Sequence, residues 1–403
     1  MNIKIYTMYF IPEFGSAPIL MNELATYLAS RGHNIKIITT FSRQRKESNY
    51  KRFSFTTEQR DGFSITRFWT VAWPGPLGRL LAWNIYVFWC MLDIFSVRKD
   101  DILFLRLPPL QLGLFGILAK KIRRIKVILD VQDIHPDLAI ESHILNNPLL
   151  IRISKVLEKL VYKSADLIIV ISEGFKKNLL NKGVPPGKIR VVPNWADTGF
   201  LRELPRNNHI SEKFSLGNKF IIMYSGTVSL SNFLSLERIL EAADLLRDNP
   251  DILFIIVGEG LKKESLLKKA SKLNLPNVRF MPFLPYDDLP YLLASSDILL
   301  VPLDTDKAEI SVPSKLYSFM AAGRPILCLA NRESETARIV RETNCGVHVI
   351  PEDVSRIKDI IQELKNSDES RKSMARSARA YVLDNFSKEK ILKIHEDLIL
   401  SLQ

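Results

Sequence analysis

A serine and a lysine stand at the start of a predicted helix in the stretch VPSKLYSFMAAGRP, residues 312–325. The first backbone N–H groups of a helix have no intrahelical partner and lie at the positive end of the helix dipole, so this place binds anions. Lys315 adds a full positive charge, which makes Ser314 and Lys315 candidates for binding a phosphate group. The alternative is that Pro313 and Ser314 only start the helix, as these residue types commonly do.

Glycines beside predicted strands are further candidates for phosphate contact. Gly226 ends YSG, Gly258 and Gly260 belong to VGEG, and Gly323 belongs to AAGRP. Gly15 ends PEFG after the first strand, where a residue without a side chain lets the backbone approach a phosphate or a sugar. None of these glycines forms GxGxxG, and an ordinary turn is the alternative explanation for each.

The densest polar cluster beside a buried strand is DVQDIHPD, residues 130–137, which contains Asp133 and His135. Its alternative interpretation is a loop closed by proline and held by local Asp hydrogen bonds. Asp304 and Asp306 form DTD, which we interpret as a loop because nothing nearby supplies further metal ligands. No pair of cysteines or histidines has the spacing of a metal site, so no metal is expected.

The composition is that of an ordinary globular enzyme. The chain has 403 residues, of which 46% are hydrophobic and 25% charged, and its length predicts two domains. Three scattered cysteines do not form a disulfide framework, which indicates a reducing compartment such as the cytosol. The N-terminus runs directly into a strand-like segment, so no signal peptide is expected.

The net charge of +12 requires an anionic partner, which could be nucleic acid, anionic lipid or a phosphorylated substrate. Basic clusters at 43–52 and 120–126 flank an apolar region that includes LLAWNIYVFWCML, residues 80–92. This run is shorter than the ~20 residues of a spanning helix. We therefore predict a segment, about 68–95, that lies in the membrane interface with its aromatic residues at headgroup level. A buried core helix is the alternative.

Strand and helix patterns alternate along the chain. In the first half, strands are predicted at 3–9, 35–40, 127–131, 166–171 and 189–193, with a helix at 17–31. A polar stretch, 201–219, is a candidate linker. A second alternation follows, with strands predicted at 220–226, 252–260, 278–283, 297–303 and 325–330. This pattern predicts two α/β domains with doubly wound parallel sheets, which bind ligands at the carboxyl ends of their strands.

The order of the motifs resembles that of a known family. PEFG, VVPNWAD, YSG, VGEG, PSKL followed by MAAGRPI, and ESETARIV occur in the order found in the retaining GT-B glycosyltransferases of family 4. The chain is most similar to the subgroup that builds bacterial capsule, colanic acid and O-antigen repeat units. The resemblance covers nearly the whole chain, and VPNW and PSKL are its most specific blocks.

The resemblance implies a fold, two ligands and several site residues. The implied fold is GT-B: two Rossmann-like α/β domains whose parallel sheets face a central cleft, the first for the acceptor and the second for the nucleotide sugar. Ser314 and Lys315 would receive the diphosphate of a UDP-sugar, with Lys315 balancing charge on the departing nucleotide. Asp133 or His135 would face donor and acceptor, where a carboxylate orients or deprotonates the acceptor hydroxyl.

Two parts of the chain depart from the family pattern. The family carries two glutamates in an E-x7-E arrangement. In this chain Ser318 stands at the position of the second glutamate and Ile310 at that of the first, with the neighbouring Glu309 as a candidate substitute. The Gly-rich turn after YSG reads GTVSLSNF and keeps only its first glycine. Glu335 of ESETARIV remains available for the donor sugar or ribose, and an exposed glutamate at a helix start is its alternative.

These observations predict a retaining glycosyltransferase of bacterial surface polysaccharide synthesis. It would move a sugar, N-acetylated by subgroup resemblance, from a UDP-sugar to an undecaprenyl-diphosphate-linked acceptor at the cytoplasmic membrane face, with no cofactor besides this donor substrate. The expected domains are 1–205 for the acceptor, 206–385 for the donor, and a helix at 386–403 that returns to the first domain.

Two other function classes are weighed against this one. A nonhydrolysing UDP-sugar epimerase shares the two-domain architecture but needs neither an acceptor nor a membrane surface, so the Trp-rich segment argues against it. A nucleic-acid-binding protein rests on charge alone, without an RNP, KH or zinc-finger signature, and no nucleic-acid partner is expected.

Overall fold

The computed structural model describes residues 1–13, 15–42, 54–73, 75–141, 143–304 and 312–402. The chain divides into two compact units: unit 1 is Met1–Pro193 with Leu392–Gln403, and unit 2 is Asn194–Ile391. Unit 1 contains strands β1 (Asn2–Tyr6), β2 (Asn34–Thr40), β3 (Phe55–Arg60), β4 (Phe63–Phe68), β5 (Asp101–Leu107), β6 (Lys126–Val131), β7 (Leu167–Val170) and β8 (Ile189–Val191). Its helices are α1 (Ser16–Ser30), α2 (Gly75–Leu92), α3 (Leu112–Arg123), α4 (Asp137–Glu141), α5 (Pro148–Ser164) and α6 (Glu173–Asn181).

Unit 2 contains strands β9 (Phe220–Ser225), β10 (Ile252–Val257), β11 (Val278–Met281), β12 (Ile298–Pro302), β13 (Ile326–Leu329) and β14 (Gly346–Val349). Its helices are α7 (His209–Lys213), α8 (Phe233–Leu245), α9 (Lys263–Lys272), α10 (Leu289–Ala294), α11 (Ser314–Ala321), α12 (Glu335–Thr343), α13 (Val354–Asn366) and α14 (Asp368–Phe386). The last helix, α15 (Lys388–Leu400), begins in unit 2 and ends in unit 1. Single 3-10 turns lie at Asp93–Ser96, Pro186–Lys188 and Tyr286–Asp288.

The sheet of unit 1 has the order β3-β4-β2-β1-β5-β6-β7-β8 and is parallel except for the β3–β4 pair. β5, β6 and β7 are buried almost throughout, which explains their continuous apolar sequences. The β3–β4 hairpin turns through Asp61 and Gly62, both with positive φ, as a two-residue Asp-Gly turn requires.

The sheet of unit 2 has the order β11-β10-β9-β12-β13-β14, with parallel pairs throughout. Alternate residues of β9 point into two different apolar cores. Ile221 and Met223 belong to the core that includes α11, whereas Ile222 and Tyr224 belong to the core under α8 and α13. The sheet is therefore covered on both faces, with the carboxyl ends of β9 and β10 at one edge.

Each strand predicted from sequence is present, with ends that differ by a few residues. The structure adds β3, β4, β5 and β14. The division between the units falls after Pro193, whereas the sequence places the boundary at 205. The polar stretch 201–219 is not a linker, because it packs within unit 2, where Arg206 Nη2 donates to Asp297 Oδ2 at 3.0 Å.

Helix α2 lies within the segment predicted to contact the membrane interface. Gly78, Ala82, Tyr86 and Cys90 are buried on one side, and the Tyr86 hydroxyl donates to the carbonyl of Ile38 at 2.9 Å. With the following 3-10 turn the helix is long and apolar enough to cross a membrane by length and composition, but about a third of it is buried in the protein. The basic cluster at 43–52 lies outside the described residues.

The C-terminal segment is held in unit 1 by Glu396. Its buried carboxylate accepts hydrogen bonds from Tyr27 Oη at 3.0 Å and Arg31 Nε at 3.2 Å, and it contacts His33 Nε2 at 3.3 Å. These contacts lower the pKa of Glu396 to about 2 against the opposing effect of burial. The tail is thereby attached to helix α1 and to the loop that follows it.

Candidate active site

Lys315 lies in the first turn of α11 and turns its ammonium group towards Tyr224 at the end of β9. Its Nζ donates to the Tyr224 hydroxyl at 2.7 Å and lies 4.2 Å from the centre of the ring. Burial lowers the pKa of Lys315 to about 7. No carboxylate among the described residues forms an ion pair with it. An amine with a pKa of about 7 is about half protonated at pH 7, and an anionic ligand beside it would favour the charged ammonium form.

Tyr224 and Asn232 fix the loop that follows β9. The Tyr224 hydroxyl donates to the carbonyl of Thr227 at 2.7 Å and accepts from Asn232 Nδ2 at 2.9 Å. Asn232 Oδ1 in turn accepts from the N–H of Ser229 at 3.0 Å. These hydrogen bonds hold the loop 226–232 in a defined conformation beside Lys315. The loop has this order although it lacks the further glycines of the family pattern.

Gly226 and Gly258 both have a backbone conformation that favours glycine, and Gly258 is also required by close approach of backbone. Gly226 has φ +152°, and a Cβ there would lie 2.5 Å from Lys315 Nζ and 3.2 Å from the Tyr224 hydroxyl. Gly258 has φ +148°, and a Cβ there would overlap the carbonyl oxygen of Gly226. The structure thus brings Gly226, Gly258 and Lys315 together, as the phosphate hypothesis expects. Gly260 adjoins them, because its Cβ would overlap the carbonyl oxygen of Val228.

Asp133 lies just after β6 in unit 1, beside a buried ion pair. Arg106 Nη1 donates to Asp130 Oδ2 at 2.7 Å, and Gln132 Nε2 donates to Asp130 Oδ1 at 2.7 Å. Burial raises the pKa of Asp133 to about 6, although the positive charges of Arg106 and Arg79 oppose the shift. A carboxylate with this pKa can take up a proton near neutral pH.

His135 packs against helix α2. Its ring lies edge-on to Trp83 with centroids 5.5 Å apart. Burial, and then the charge of Arg79, lower the pKa of His135 to about 4, so the ring is neutral at pH 7. The buried indole N–H of Trp83 has no hydrogen-bond partner among the described residues. This unsatisfied donor was not predicted from sequence, where Trp83 was assigned to the membrane interface.

Gly15 precedes helix α1 with φ +130°. The nearest atom to a Cβ built there is Pro18 Cδ at 3.8 Å, so the protein itself does not crowd this position. The need for glycine at this place is conformational, because the described residues leave room for a Cβ. Phe14, in the same PEFG motif, lies outside the described residues.

Two family models match the chain and together span most of it. The 4-like glycosyltransferase domain matches residues 18–195, and the group 1 glycosyltransferases match residues 206–381. The chain is a glycosyltransferase. The enzyme is 27% identical over 371 residues to the putative colanic acid biosynthesis glycosyl transferase WcaI of Escherichia coli strain K12, covering 87% of this chain and 88% of that one.

A second relative agrees with this assignment, and a solved structure shows the fold. The glycosyltransferase is 28% identical over 295 residues to the probable glycosyltransferase WbjE of Pseudomonas aeruginosa, covering 72% of each chain. Its structure matches that of Anabaena Alr3699/HepE in complex with UDP-glucose with a TM-score of 0.73 at 16% identity, covering 100% of both chains. The fold is GT-B, which confirms the α/β class expected from the sequence.

The other residues predicted for the donor site lie in α11, in α12 or outside the described residues. Ser314 is the first residue of α11, a helix that has no side-chain cap. Glu335 is the first residue of α12, with one oxygen 3.5 Å from Arg338 Nη2. Ser318 contacts the carbonyl of Ser314 at 3.4 Å, within its own helix. Glu309 and Ile310 lie outside the described residues.

Asp304 has a structural role that agrees with its interpretation as part of a loop. Its carboxylate accepts from the backbone N–H groups of Leu234 at 3.1 Å and Ser235 at 2.8 Å, at the start of α8. Such bonds satisfy two of the free N–H groups in the first turn of a helix. Within the described parts of the chain, no three His, Cys, Asp or Glu side chains are placed to hold a metal ion.

Proposed function

We propose that this glycosyltransferase moves a sugar from a UDP-sugar, with retention of configuration, to an undecaprenyl-diphosphate-linked acceptor. The observation that carries the proposal is the ammonium of Lys315, which lies beside Gly226 and forms no ion pair with a described carboxylate. The solved structure of HepE, which has the same fold, is a complex with UDP-glucose, and WcaI is named for colanic acid biosynthesis. The proposed setting is bacterial surface polysaccharide assembly at the cytoplasmic face of the membrane.

Lys315 has an electrostatic task in the proposed reaction. The bond between the sugar and the diphosphate breaks, and negative charge develops on the departing UDP. An ammonium already held by Tyr224 needs little reorganisation to stabilise that charge. We propose that this cation, with backbone N–H groups near Gly226 and at the start of α11, takes the part that a metal ion plays in other enzymes, and that no metal is needed.

Asp133 and Trp83 are the proposed contacts of the acceptor in unit 1. Asp133 would orient the acceptor hydroxyl or take its proton, while the leaving phosphate assists attack from the same face of the sugar. The indole N–H of Trp83 would donate to an acceptor oxygen, which would satisfy a buried donor. The exposed apolar side of α2 would lie at the membrane that holds the lipid anchor.

Release of UDP is the direct test of this function. Purified enzyme is incubated with a panel of UDP-sugars, with and without extracted undecaprenyl-linked acceptors, and free UDP is measured. We expect UDP release that depends on the acceptor, together with transfer of the sugar to the lipid-linked product. Interconversion of a UDP-sugar without acceptor would instead indicate an epimerase, and no reaction with any donor would contradict the proposal.

The rate of transfer should rise with pH around 6. Below its pKa of about 6, Asp133 is protonated and cannot accept a proton; above it the carboxylate is charged and active. Asp133→Asn should therefore lower kcat by about 10²-fold and remove the rise of the rate with pH near pH 6, the acidic limb of the pH profile. The measurement is kcat and kcat/KM from pH 5 to 8, with Asp248→Asn, at an exposed position of unit 2, as the control. An unchanged limb in Asp133→Asn would assign it to another group.

A further inference from the structure

Helix α5 exposes an apolar stripe to solvent. Leu149, Ile153, Val156 and Leu160 recur every three or four residues, which places them on one face of the helix, and each is 52–66% exposed. An amphipathic helix of a globular protein normally buries such a face. In this structure the opposite side of α5, which includes Val161 and Tyr162, faces the core.

Helix α3 fixes this orientation of α5. A Cβ at Gly113 of α3 would overlap Val161 of α5, so the two helices pack in close contact at this point. α3 itself exposes Leu114, Leu118 and Ile122, also at helical spacing. α2, α3 and α5 connect strands that advance in the same direction across the sheet, and right-handed crossovers place all three on one face. α3 contacts both α2 and α5.

The charges beside the stripe have one sign. Basic residues recur along α5 at the flank of the stripe, and all are exposed: Arg152, Lys155, Lys159 and Lys163. The one carboxylate of α5, Glu158, is buried and forms an ion pair with Lys182. We call the apolar residues of α3 and α5 named above, with these four basic residues, the α3–α5 face. It combines exposed apolar side chains with four basic residues, none of which forms an ion pair with a carboxylate in the part of the chain that the structure describes.

We infer that the α3–α5 face docks on an anionic lipid bilayer, with the stripe in the headgroup region and the four basic residues on lipid phosphates. Charge decides between occupants, because a second copy of this face would oppose the same positive residues, whereas anionic lipid complements them. α5 would lie along the membrane over about 25 Å. The inference extends the membrane contact proposed for α2 and rests in that respect on the proposed function.

Vesicle binding by the full chain tests this inference without donor or acceptor. Vesicles of phosphatidylcholine are compared with vesicles that also contain phosphatidylglycerol, and bound protein is measured by co-sedimentation. The apolar variant is Ile153→Ser with Val156→Ser, and its control is Leu245→Ser with Leu383→Ser, which are exposed leucines of unit 2. The charge variant is Lys155→Glu with Lys159→Glu, and its control is Lys268→Glu with Lys272→Glu on α9.

We expect wild type and both controls to bind the anionic vesicles, and each α5 variant to bind about tenfold more weakly. Added salt should weaken wild-type binding and have little effect on the charge variant. Equal binding of wild type and α5 variants, or no binding by wild type, would overturn the inference. So would a wild-type dimer that the apolar variant dissociates without a change in vesicle binding, since the occupant would then be a second copy.

A separate readout keeps this inference distinct from the proposed reaction. Affinity for UDP, measured by calorimetry on the same preparations, reports unit 2 and should be equal in wild type and all four variants. Vesicle binding without UDP binding would contradict the proposed donor and leave the membrane surface in place. UDP binding without vesicle binding would overturn the membrane inference and leave the proposed donor in place.

Discussion

Lys315→Met should lower kcat/KM for transfer from a UDP-sugar by about 10²- to 10³-fold. The ammonium is the positive charge held beside Gly226, and its removal leaves the developing charge on UDP without its main electrostatic partner. Methionine keeps a flexible apolar chain of similar length, so packing on the Tyr224 ring is retained. The measurement is steady-state kinetics of UDP release with saturating acceptor.

The stability of this variant separates a functional role from a structural one. Lys315 is a cation removed from water without a carboxylate partner among the described residues, which costs folding free energy. Lys315→Met should therefore unfold at the same temperature as wild type or higher while activity is lost. Lys268→Met on α9 is the control and should keep both activity and stability. A large fall in melting temperature with unchanged UDP affinity would assign Lys315 to the fold.

Asp130→Leu should lower the free energy of unfolding by about 3–5 kcal/mol. Asp130 and Arg106 are almost fully buried, and loss of the carboxylate leaves the guanidinium in the core without its charged partner. Gln132 also loses its acceptor. The measurement is urea unfolding followed by tryptophan fluorescence, to which unit 1 contributes four tryptophans and unit 2 one, Trp195.

The double variant Arg106→Met with Asp130→Leu tests the reason for this loss. Replacement of a whole buried ion pair by apolar side chains is often close to neutral, so the double variant should recover most of the lost free energy. A double variant that is as unstable as Asp130→Leu would mean that shape at this site, and not an unpaired charge, sets the cost.

Most parallel strands of both units were predictable, because a strand covered on both faces is a continuous apolar run, but β4, β5 and β14 were missed. β3 has no such signal, since its six residues are all exposed at the edge of the sheet. β5 contains two charged residues, Asp101 and Arg106, whose burial depends on partners in β1 and β6. Their pairing is a property of the sheet, so the sequence of β5 alone does not reveal it.

The candidate phosphate site was predictable in part. Ser314, Lys315 and the glycines follow from local rules about helix starts and strand ends. Tyr224 and Asn232, which position Lys315 and its loop, lie far from it in the chain and meet it only through the order of β9 and α11 in the fold. Asp304 likewise caps α8 only because the fold brings its carboxylate to the start of that helix.

The sequence by itself determined the fold class and the glycosyltransferase assignment, and it predicted Lys315 as the cation for an anionic ligand, because each depends on residue types at fixed local spacing. It also determined that α5 has an apolar face, since periodicity is local. Only the tertiary structure decided which side of α5 the sheet covers. That choice follows from the close contact of Val161 with Gly113, and it leaves the apolar stripe and its basic flank outside.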